Sequence, residues 1–195
     1  SFRLPCPNYM TGISVTGQER HEMTKGILAV FTGNGKGKTT SALGIAFRAL
    51  GHGHKVSVIQ FIKGNWTSGE HLFAKNISPL IEFHVMGRGF TWKSENLAED
   101  AALAQKGWQL AVETIEKNEH HLVILDELTY LIRYNMVSEE EVLRVLRGRP
   151  AGMHVVVTGR HASEKLIDLA DLVTEMVEIK HPFANGITAQ KGFEF

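Results

Sequence analysis

A glycine- and lysine-rich segment, residues 32–40 with the sequence TGNGKGKTT, combines the residue types that bind phosphate groups. Gly33, Gly35 and Gly37 carry no Cβ, so the backbone N–H groups around them are free to converge on phosphate oxygens. A helix that begins near Lys38 directs the positive end of its dipole at the same anion. The Lys38 side chain adds a positive charge. The segment therefore predicts a phosphate-binding loop.

The loop departs from the usual spacing by one residue. Four residues commonly separate its flanking glycines, whereas only Asn34, Gly35 and Lys36 lie between Gly33 and Gly37. A shorter loop does not wrap a triphosphate in the standard way. The spacing therefore predicts phosphate binding more strongly than it predicts transfer of the γ-phosphoryl group.

A second candidate lies where the apolar run 122–125 ends in the adjacent carboxylates Asp126 and Glu127. In phosphate-loop proteins an acidic residue at this place orders Mg²⁺ and water, and Thr39 adds a hydroxyl within reach of a phosphate-bound Mg²⁺. Acidic residues also end strands simply as solvated turn residues. Adjacent side chains point in opposite directions along a strand, so the sequence leaves open which carboxylate meets the metal.

Two further groups follow predicted strands. Arg160 comes directly after the run 155–158, and its guanidinium is a fork-shaped donor suited to a triphosphate; a plain surface arginine is the alternative. Phe90 and Trp92 lie after the third predicted strand, beside flexible loop residues. Such aromatics suit a flat apolar ligand, although their spacing alone favours packing beneath a helix.

The elements that would position these residues alternate between strand and helix. Apolar and β-branched runs predict strands over residues 27–32, 55–63, 80–85, 121–125, 153–158 and 173–179. Helical spacing predicts helices over residues 39–50, 94–118 and 163–169, the second with Ser94 as its N-cap. A capping box at 138–141 predicts the start of a further helix. The alternation predicts an α/β fold, a mostly parallel sheet with helices on both faces. Residues 1–25 read as an arm, and residues 26–195 as one domain.

Composition excludes several functional classes. The 21 basic and 21 acidic residues give a net charge of +0, which argues against the broad basic face of a nucleic-acid-binding protein. The single cysteine, Cys6, excludes an intramolecular disulfide and a zinc site built from paired CxxC motifs. No apolar run approaches the roughly 20 residues of a membrane helix. We therefore expect a soluble, cytoplasmic protein without nucleic-acid or membrane partners.

Several motifs, taken together and in order, resemble the phosphate-loop type of the ATP:corrinoid adenosyltransferase family. They are TGNGKGKTT (32–40), GHG-KV-V-QFIKG (51–64), GFTW (89–92), LDELTY (125–130), VTGR (157–160), DLAD (168–171) and KHPF…G…AQKG (180–192). The resemblance covers nearly all of residues 26–195, while the N-terminal 25 residues depart from it. It implies a phosphate-loop NTPase fold of the RecA-like kind.

The resemblance also implies a reaction. ATP would bind in a reversed sense, and cobalt(I) of a corrinoid would attack the ribose 5′-carbon and release tripolyphosphate. By motif, phosphate contacts are implied for Gly33, Asn34, Gly35, Lys36, Gly37, Lys38, Thr39, Thr40 and Arg160. Thr39 and Glu127 would hold Mg²⁺ (or Mn²⁺), with Asp126 as a nearby supporting carboxylate. Lys38, Glu127, Phe90 and Trp92 would serve catalysis, the two aromatics by lining the lower face of the corrin.

The partners implied are ATP, cobalamin or a related corrinoid, an electron-donating reductase or flavoprotein, and a second copy in a homodimer. Three other interpretations remain open from the residues alone. An ordinary phosphate-loop ATPase or kinase would cleave the β–γ bond, a recombinase-like motor would bind DNA, and a regulator would only bind nucleotide. The phosphate product distinguishes them, because only the transferase releases tripolyphosphate in a corrinoid-dependent way.

Overall fold

A six-stranded parallel sheet forms the centre of the protein, seen in a computed structural model that describes residues 25–62, 68–77, 79–87 and 97–194. The strands lie in the order β3-β2-β4-β5-β1-β6, and every recorded pair is parallel. Their bounds are β1 Leu28–Thr32, β2 Val56–Gln60, β3 Ile81–Val85, β4 Leu122–Asp126, β5 His154–Thr158 and β6 Leu172–Glu175. The predicted parallel α/β fold is confirmed.

In the part of the chain that the structure describes, six α-helices accompany these strands. They are α1 Lys38–Gly51, α2 Gly69–Ile77, α3 Leu97–Lys117, α4 Leu128–Arg133, α5 Glu139–Arg147 and α6 Glu164–Leu169, and a 3₁₀ turn spans Pro182–Asn185. In the described ranges, no helix combines the length and the apolar character needed to cross a bilayer.

Side chains alternate between the two faces of the sheet, and each face has its own core. On one face Ala29 and Phe31 of β1 pack with Ala42 and Ala46 of α1. On the other face the strands pack against buried residues of α3, α4, α5 and α6. All five residues of β1, β2 and β4 are buried, as expected for strands covered by helices on both sides. The sheet is therefore a rigid support for whatever its edge carries.

The carboxyl edge of the sheet gathers the polar strand ends. Gln60 ends β2 opposite Asp126 of β4, while Phe31 of β1 is opposite Thr158 of β5. The phosphate loop leaves β1 at the same edge. In open parallel sheets this edge is where ligands bind, so strand order alone brings residues distant in sequence into one site.

The structure corrects several predicted elements. Helices α2 and α4 and the 3₁₀ turn were not predicted; α4 has six residues, too few to show a helical period. β2 ends at Gln60 rather than at residue 63, and β6 ends at Glu175 rather than at 179. The predicted N-cap Ser94 lies outside the described residues.

The predicted capping box at the start of α5 forms only in part. Ser138 accepts a hydrogen bond from the backbone N–H of Glu141, as an N-cap does. The Glu141 carboxylate, however, accepts a 2.9 Å hydrogen bond from the indole N–H of Trp108 on α3. A tertiary contact thus takes the carboxylate that the sequence pattern assigned to the local cap.

Candidate functional site

The loop between β1 and α1 is packed tightly against the chain that follows β6. Gly33 and Gly37 have φ angles of 93° and 116°, a region that favours glycine. The Gly35 N–H donates a 2.6 Å hydrogen bond to the carbonyl of Met176. A Cβ atom on Gly35 would lie 2.7 Å from the carbonyl oxygen of Val177. Close approach to the backbone of residues 176–177 therefore explains the glycine at position 35.

Lys38 lies inside the curve of the loop, with only 7% of the residue exposed. Its ammonium donates hydrogen bonds to the carbonyls of Gly33 (2.8 Å) and Gly35 (2.7 Å). Burial lowers the pKa of Lys38 below its usual value, partly opposed by the negative charge of Glu127. The structure thus places a desolvated cation at the centre of the predicted phosphate nest.

Asp126 is the hub of a buried hydrogen-bond network at the carboxyl edge, with 1% of the residue exposed. Its Oδ1 accepts hydrogen bonds from the hydroxyls of Thr39 (2.8 Å) and Thr158 (2.7 Å). Its Oδ2 accepts one from the amide nitrogen of Gln60 (2.8 Å). The carboxylate therefore orients the Thr39 hydroxyl at the start of α1. Sequence reasoning placed Gln60 and Thr158 in motifs at strand ends but did not predict their hydrogen bonds to Asp126, because only strand order brings them to that carboxylate.

Glu127 follows Asp126 in the sequence, but it lines the cavity beside the phosphate loop, whereas Asp126 is buried. The Glu127 backbone has a φ of 64°, uncommon for a residue other than glycine, and its N–H donates a 3.0 Å hydrogen bond to the Thr158 hydroxyl. This turn ends β4, starts α4 and places Glu127 in the lining of a cavity beside the phosphate loop. The arrangement separates the two adjacent carboxylates into a buried one and a cavity-facing one.

The cavity beside the loop has a volume of about 600 Å³. Lys36, Gly37, Lys38, Thr39 and Thr40 form one wall, and Leu43 of α1, Gly69, Glu70 and Phe73 of α2, Glu127 and Gly192–Glu194 complete it. Cationic, hydroxyl and carboxylate groups thus share one pocket with two phenyl rings. Such a mixture of a polar cradle and apolar surface is typical of a nucleotide site.

One contact joins the loop to the far end of the described chain. The Lys36 ammonium lies 2.8 Å from a carboxylate oxygen of Glu194 and 5.7 Å from the ring centroid of Phe193. Sequence reasoning assigned no role to either residue, since no local pattern links positions 193–194 to the loop.

The remaining predicted residues are placed as follows. Asn34 is exposed on the loop, and Thr40 is exposed in the first turn of α1. Arg160 is exposed and follows β5. It lies near the loop, since its positive charge contributes to the lowered pKa of Lys38. Arg160 is not among the residues that line the cavity. Phe90 and Trp92 lie outside the described residues.

The donor set fits a hard divalent cation held together with phosphates. The Thr39 hydroxyl and the Glu127 carboxylate both line the loop cavity, and oxygen donors of this kind suit Mg²⁺, which commonly takes one or two protein ligands and completes its shell with water and phosphate. Among the described residues, no group of three or more His, Cys, Asp or Glu side chains could hold a metal ion by itself. A cation here would therefore depend on bound polyphosphate.

Comparison with known proteins supports both the fold and the family. The flagellar accessory protein FlaH of Methanocaldococcus jannaschii has a similar structure, with a TM-score of 0.54, 13% identity, and coverage of 77% of this chain and 71% of that one. At this identity the likeness concerns the fold alone.

Curated relatives are much closer in sequence. The corrinoid adenosyltransferases of a Sinorhizobium species and of Pseudomonas aeruginosa are each 46% identical, over 88% of this chain and 81% and 84% of theirs. The Escherichia coli K12 enzyme of the same name is 44% identical over 88% of this chain and 86% of its own. A sequence model of the family described as ATP:corrinoid adenosyltransferase BtuR/CobO/CobP matches residues 24–195. This chain therefore belongs to the ATP:corrinoid adenosyltransferase family.

Proposed function

We propose that this protein transfers the 5′-deoxyadenosyl group of ATP to the cobalt(I) of cobalamin or a related corrinoid, in the synthesis or salvage of adenosylcobalamin. One observation carries the proposal: in a chain of this family, a shortened glycine loop leads into Lys38 and Thr39, which share a single cavity with Glu127 from the end of β4. The reaction forms a cobalt–carbon bond with the cobalt(I) electron pair. It breaks the C5′–O bond, and tripolyphosphate leaves with that bond's electrons.

The protein's part in this reaction is positioning and charge stabilisation. The attacking electron pair belongs to the corrinoid, so no side chain has to act as nucleophile. The Lys38 ammonium, already stripped of water, stabilises the negative charge that grows on the departing tripolyphosphate, and the loop N–H groups orient the phosphates. In a reversed mode of binding, Gly33–Thr40 and Arg160 contact the phosphates so that the ribose carbon faces the corrinoid.

We further propose that Thr39 and Glu127 hold Mg²⁺ (or Mn²⁺), with Asp126 fixing the Thr39 hydroxyl from behind. The cation, when bound, neutralises phosphate charge. The orientation of the Thr39 hydroxyl does not depend on ligand, because Asp126 accepts its hydrogen bond in the protein alone. Pre-organisation of this kind lowers the cost of binding.

The resemblance of GFTW (89–92) to the family supports a corrinoid-binding role for Phe90 and Trp92. We propose that they line the lower face of the corrin and keep the axial base and water from the cobalt. A cobalt(II) without these ligands is easier to reduce. We also propose a reductase or flavoprotein as electron donor, a homodimer as the assembly and the cytoplasm as the location.

The decisive experiment identifies the phosphate product. Purified protein is incubated with MgATP and chemically reduced cob(I)alamin, and tripolyphosphate and the cobalt–carbon bond are quantified separately. We expect equal amounts of the two products, and no tripolyphosphate without corrinoid. Release of ADP and inorganic phosphate with or without corrinoid would identify an ordinary hydrolase and refute the transferase.

Removal of the Lys38 ammonium tests whether the loop binds the phosphates of ATP. We expect Lys38→Ala to lower the rate by a factor of about 10²–10³, the usual effect of losing one group that stabilises transition-state charge. Lys165→Ala is the matched control, since that lysine is exposed and, among the described residues, forms ion pairs with Glu139 and Glu140 of α5. Unchanged turnover in Lys38→Ala would contradict the assignment.

A comparison of cobalt oxidation states tests the aromatic pair. We expect Phe90→Ala and Trp92→Ala to impair adenosylation that starts from cobalt(II) and a weak reductant more than adenosylation of pre-reduced cobalt(I). The physical reason is that their apolar wall acts on the reduction step, before the attack on carbon. Equal losses in the two assays would remove both residues from this role.

A further inference from the structure

An exposed aromatic ring lies at the mouth of the phosphate loop. Phe193 is 73% exposed, yet it lines the same cavity as Lys36–Thr40. Core packing does not account for a ring with so much free surface. The part of the cavity outside the phosphate cradle is where the remainder of a bound nucleotide would extend.

A tight turn holds this ring in place. Gly192 has a φ of 82°, and the N–H groups of Phe193 and Glu194 both donate to the carbonyl of Gln190, at 3.2 and 2.7 Å. The turn is tied to the loop through Lys36, whose ammonium bonds the Glu194 carboxylate and lies above the Phe193 ring. The ring is therefore positioned relative to the phosphate-binding residues before any ligand arrives.

We infer that Phe193 is the stacking platform for the adenine of ATP, an inference that rests on the proposed function. Adenine has flat apolar faces, and base–aromatic stacking contributes about 1–3 kcal/mol per base by alanine substitution. The phosphates of ATP are held by charge and backbone N–H groups, whereas its base requires an apolar surface a ribose away. Phe193 supplies that surface at the edge of the cradle, and its link to Lys36 sets the distance between the two.

Phe73 of α2 also lines the cavity and is 52% exposed. We prefer Phe193 because a side chain of the loop itself, Lys36, lies over its ring. Alanine substitution distinguishes the two rings, since only removal of the ring that stacks on the base should weaken the binding of ATP.

The test compares ATP with inorganic tripolyphosphate, which keeps the phosphates and lacks the nucleoside. Binding of each to the full chain is measured by calorimetry for wild type, Phe193→Ala, Phe193→Trp, Phe73→Ala and Phe47→Ala. Phe47 is a matched control, being 70% exposed on α1 and outside the cavity lining. We expect Phe193→Ala to weaken ATP by about tenfold with tripolyphosphate unchanged, Phe193→Trp to restore ATP binding, and Phe47→Ala to change neither.

Three results would overturn the inference. Equal weakening of ATP and tripolyphosphate would show that the ring acts only by holding Lys36. Unchanged binding of ATP in Phe193→Ala would show that the ring does not contact the base. Loss of ATP affinity in Phe73→Ala but not in Phe193→Ala would assign the stacking of the base to Phe73 of α2. Failure of the proposed function is separate, because ATP binding is measured without corrinoid and without turnover.

Discussion

Thr158 is the residue through which the two adjacent carboxylates of the site are held apart, and its replacement by valine is a sharp test of the network. The hydroxyl donates to Asp126 at 2.7 Å and accepts from the backbone N–H of Glu127 at 3.0 Å. Thr158 is completely buried. Valine has nearly the same shape, so Thr158→Val removes both hydrogen bonds without opening a large cavity.

The magnitude follows from the two bonds. A hydrogen bond to a charged group contributes about 1.5–3 kcal/mol, and a buried N–H deprived of its acceptor costs about 1–3 kcal/mol. We therefore expect Thr158→Val to lower the free energy of unfolding by about 2.5–6 kcal/mol, the sum of the two contributions. Thr158→Ser is the matched control, since it keeps the hydroxyl and deletes one methyl group, at a cost of about 1 kcal/mol.

The measurement is urea unfolding of wild type and both variants at pH 7, followed by circular dichroism. A second measurement is the Mg²⁺ concentration for half-maximal activity. It should rise in the valine variant only, because the Glu127 backbone has lost its anchor. If valine proves no more destabilising than serine, the hydroxyl is not part of an energetically coupled network. The account of how Asp126 and Glu127 are separated would then be wrong.

Two further perturbations, a change of pH and a substitution at Gly35, probe the opposite ends of the strands. Burial, then the charge of a neighbouring histidine, lowers the pKa of both His121 and His154. The unfolded chain therefore takes up these protons near the ordinary value of 6.5, while the folded protein stays neutral to lower pH. Stability should fall as the pH drops through 6.5 toward the lowered values, measured as urea midpoints between pH 8 and 5.5. In the phosphate loop, a Cβ on Gly35 would meet the backbone of residues 176–177 at 2.7–2.8 Å. Gly35→Ala should weaken ATP binding and lower the free energy of unfolding by about 1–3 kcal/mol, measured by ATP titration and urea unfolding.

Each of these has its own control. The His154 imidazole accepts a 3.1 Å hydrogen bond from the backbone N–H of Ile27, and His154→Asn keeps an acceptor at this position. The variant should weaken the dependence of stability on pH. An unchanged dependence would exclude His154 as a contributor. Gly44 of α1 has open space around it, so Gly44→Ala should leave ATP binding intact and raise stability by up to about 1 kcal/mol. Should Gly35→Ala behave like Gly44→Ala, the close contact with residues 176–177 would have no energetic consequence.

Much of the fold was predictable from local pattern. The buried runs at β1, β4 and β5 and the helix after the loop appear within two residues of their predicted bounds, because apolar periodicity and glycine stops are encoded locally. Helix α4 was not predictable in this way. It starts at a turn with positive φ at Glu127 and is shorter than two helical turns. β6 was overextended, since the apolar residues after Glu175 leave the sheet, and Met176 there accepts the N–H of Gly35.

The amino-acid sequence by itself determined the chemistry: the glycine loop with Lys38 and Thr39, the acidic strand end, the parallel α/β fold and the family. Residue type and short-range spacing are enough for these, because each motif lies within a few consecutive positions. Only the tertiary structure decided which groups share a site. It buried Asp126 among Thr39, Gln60 and Thr158, turned Glu127 to the cavity, and brought Phe193 to the loop. Those contacts depend on strand order and on chain segments far apart in sequence, which no local pattern records.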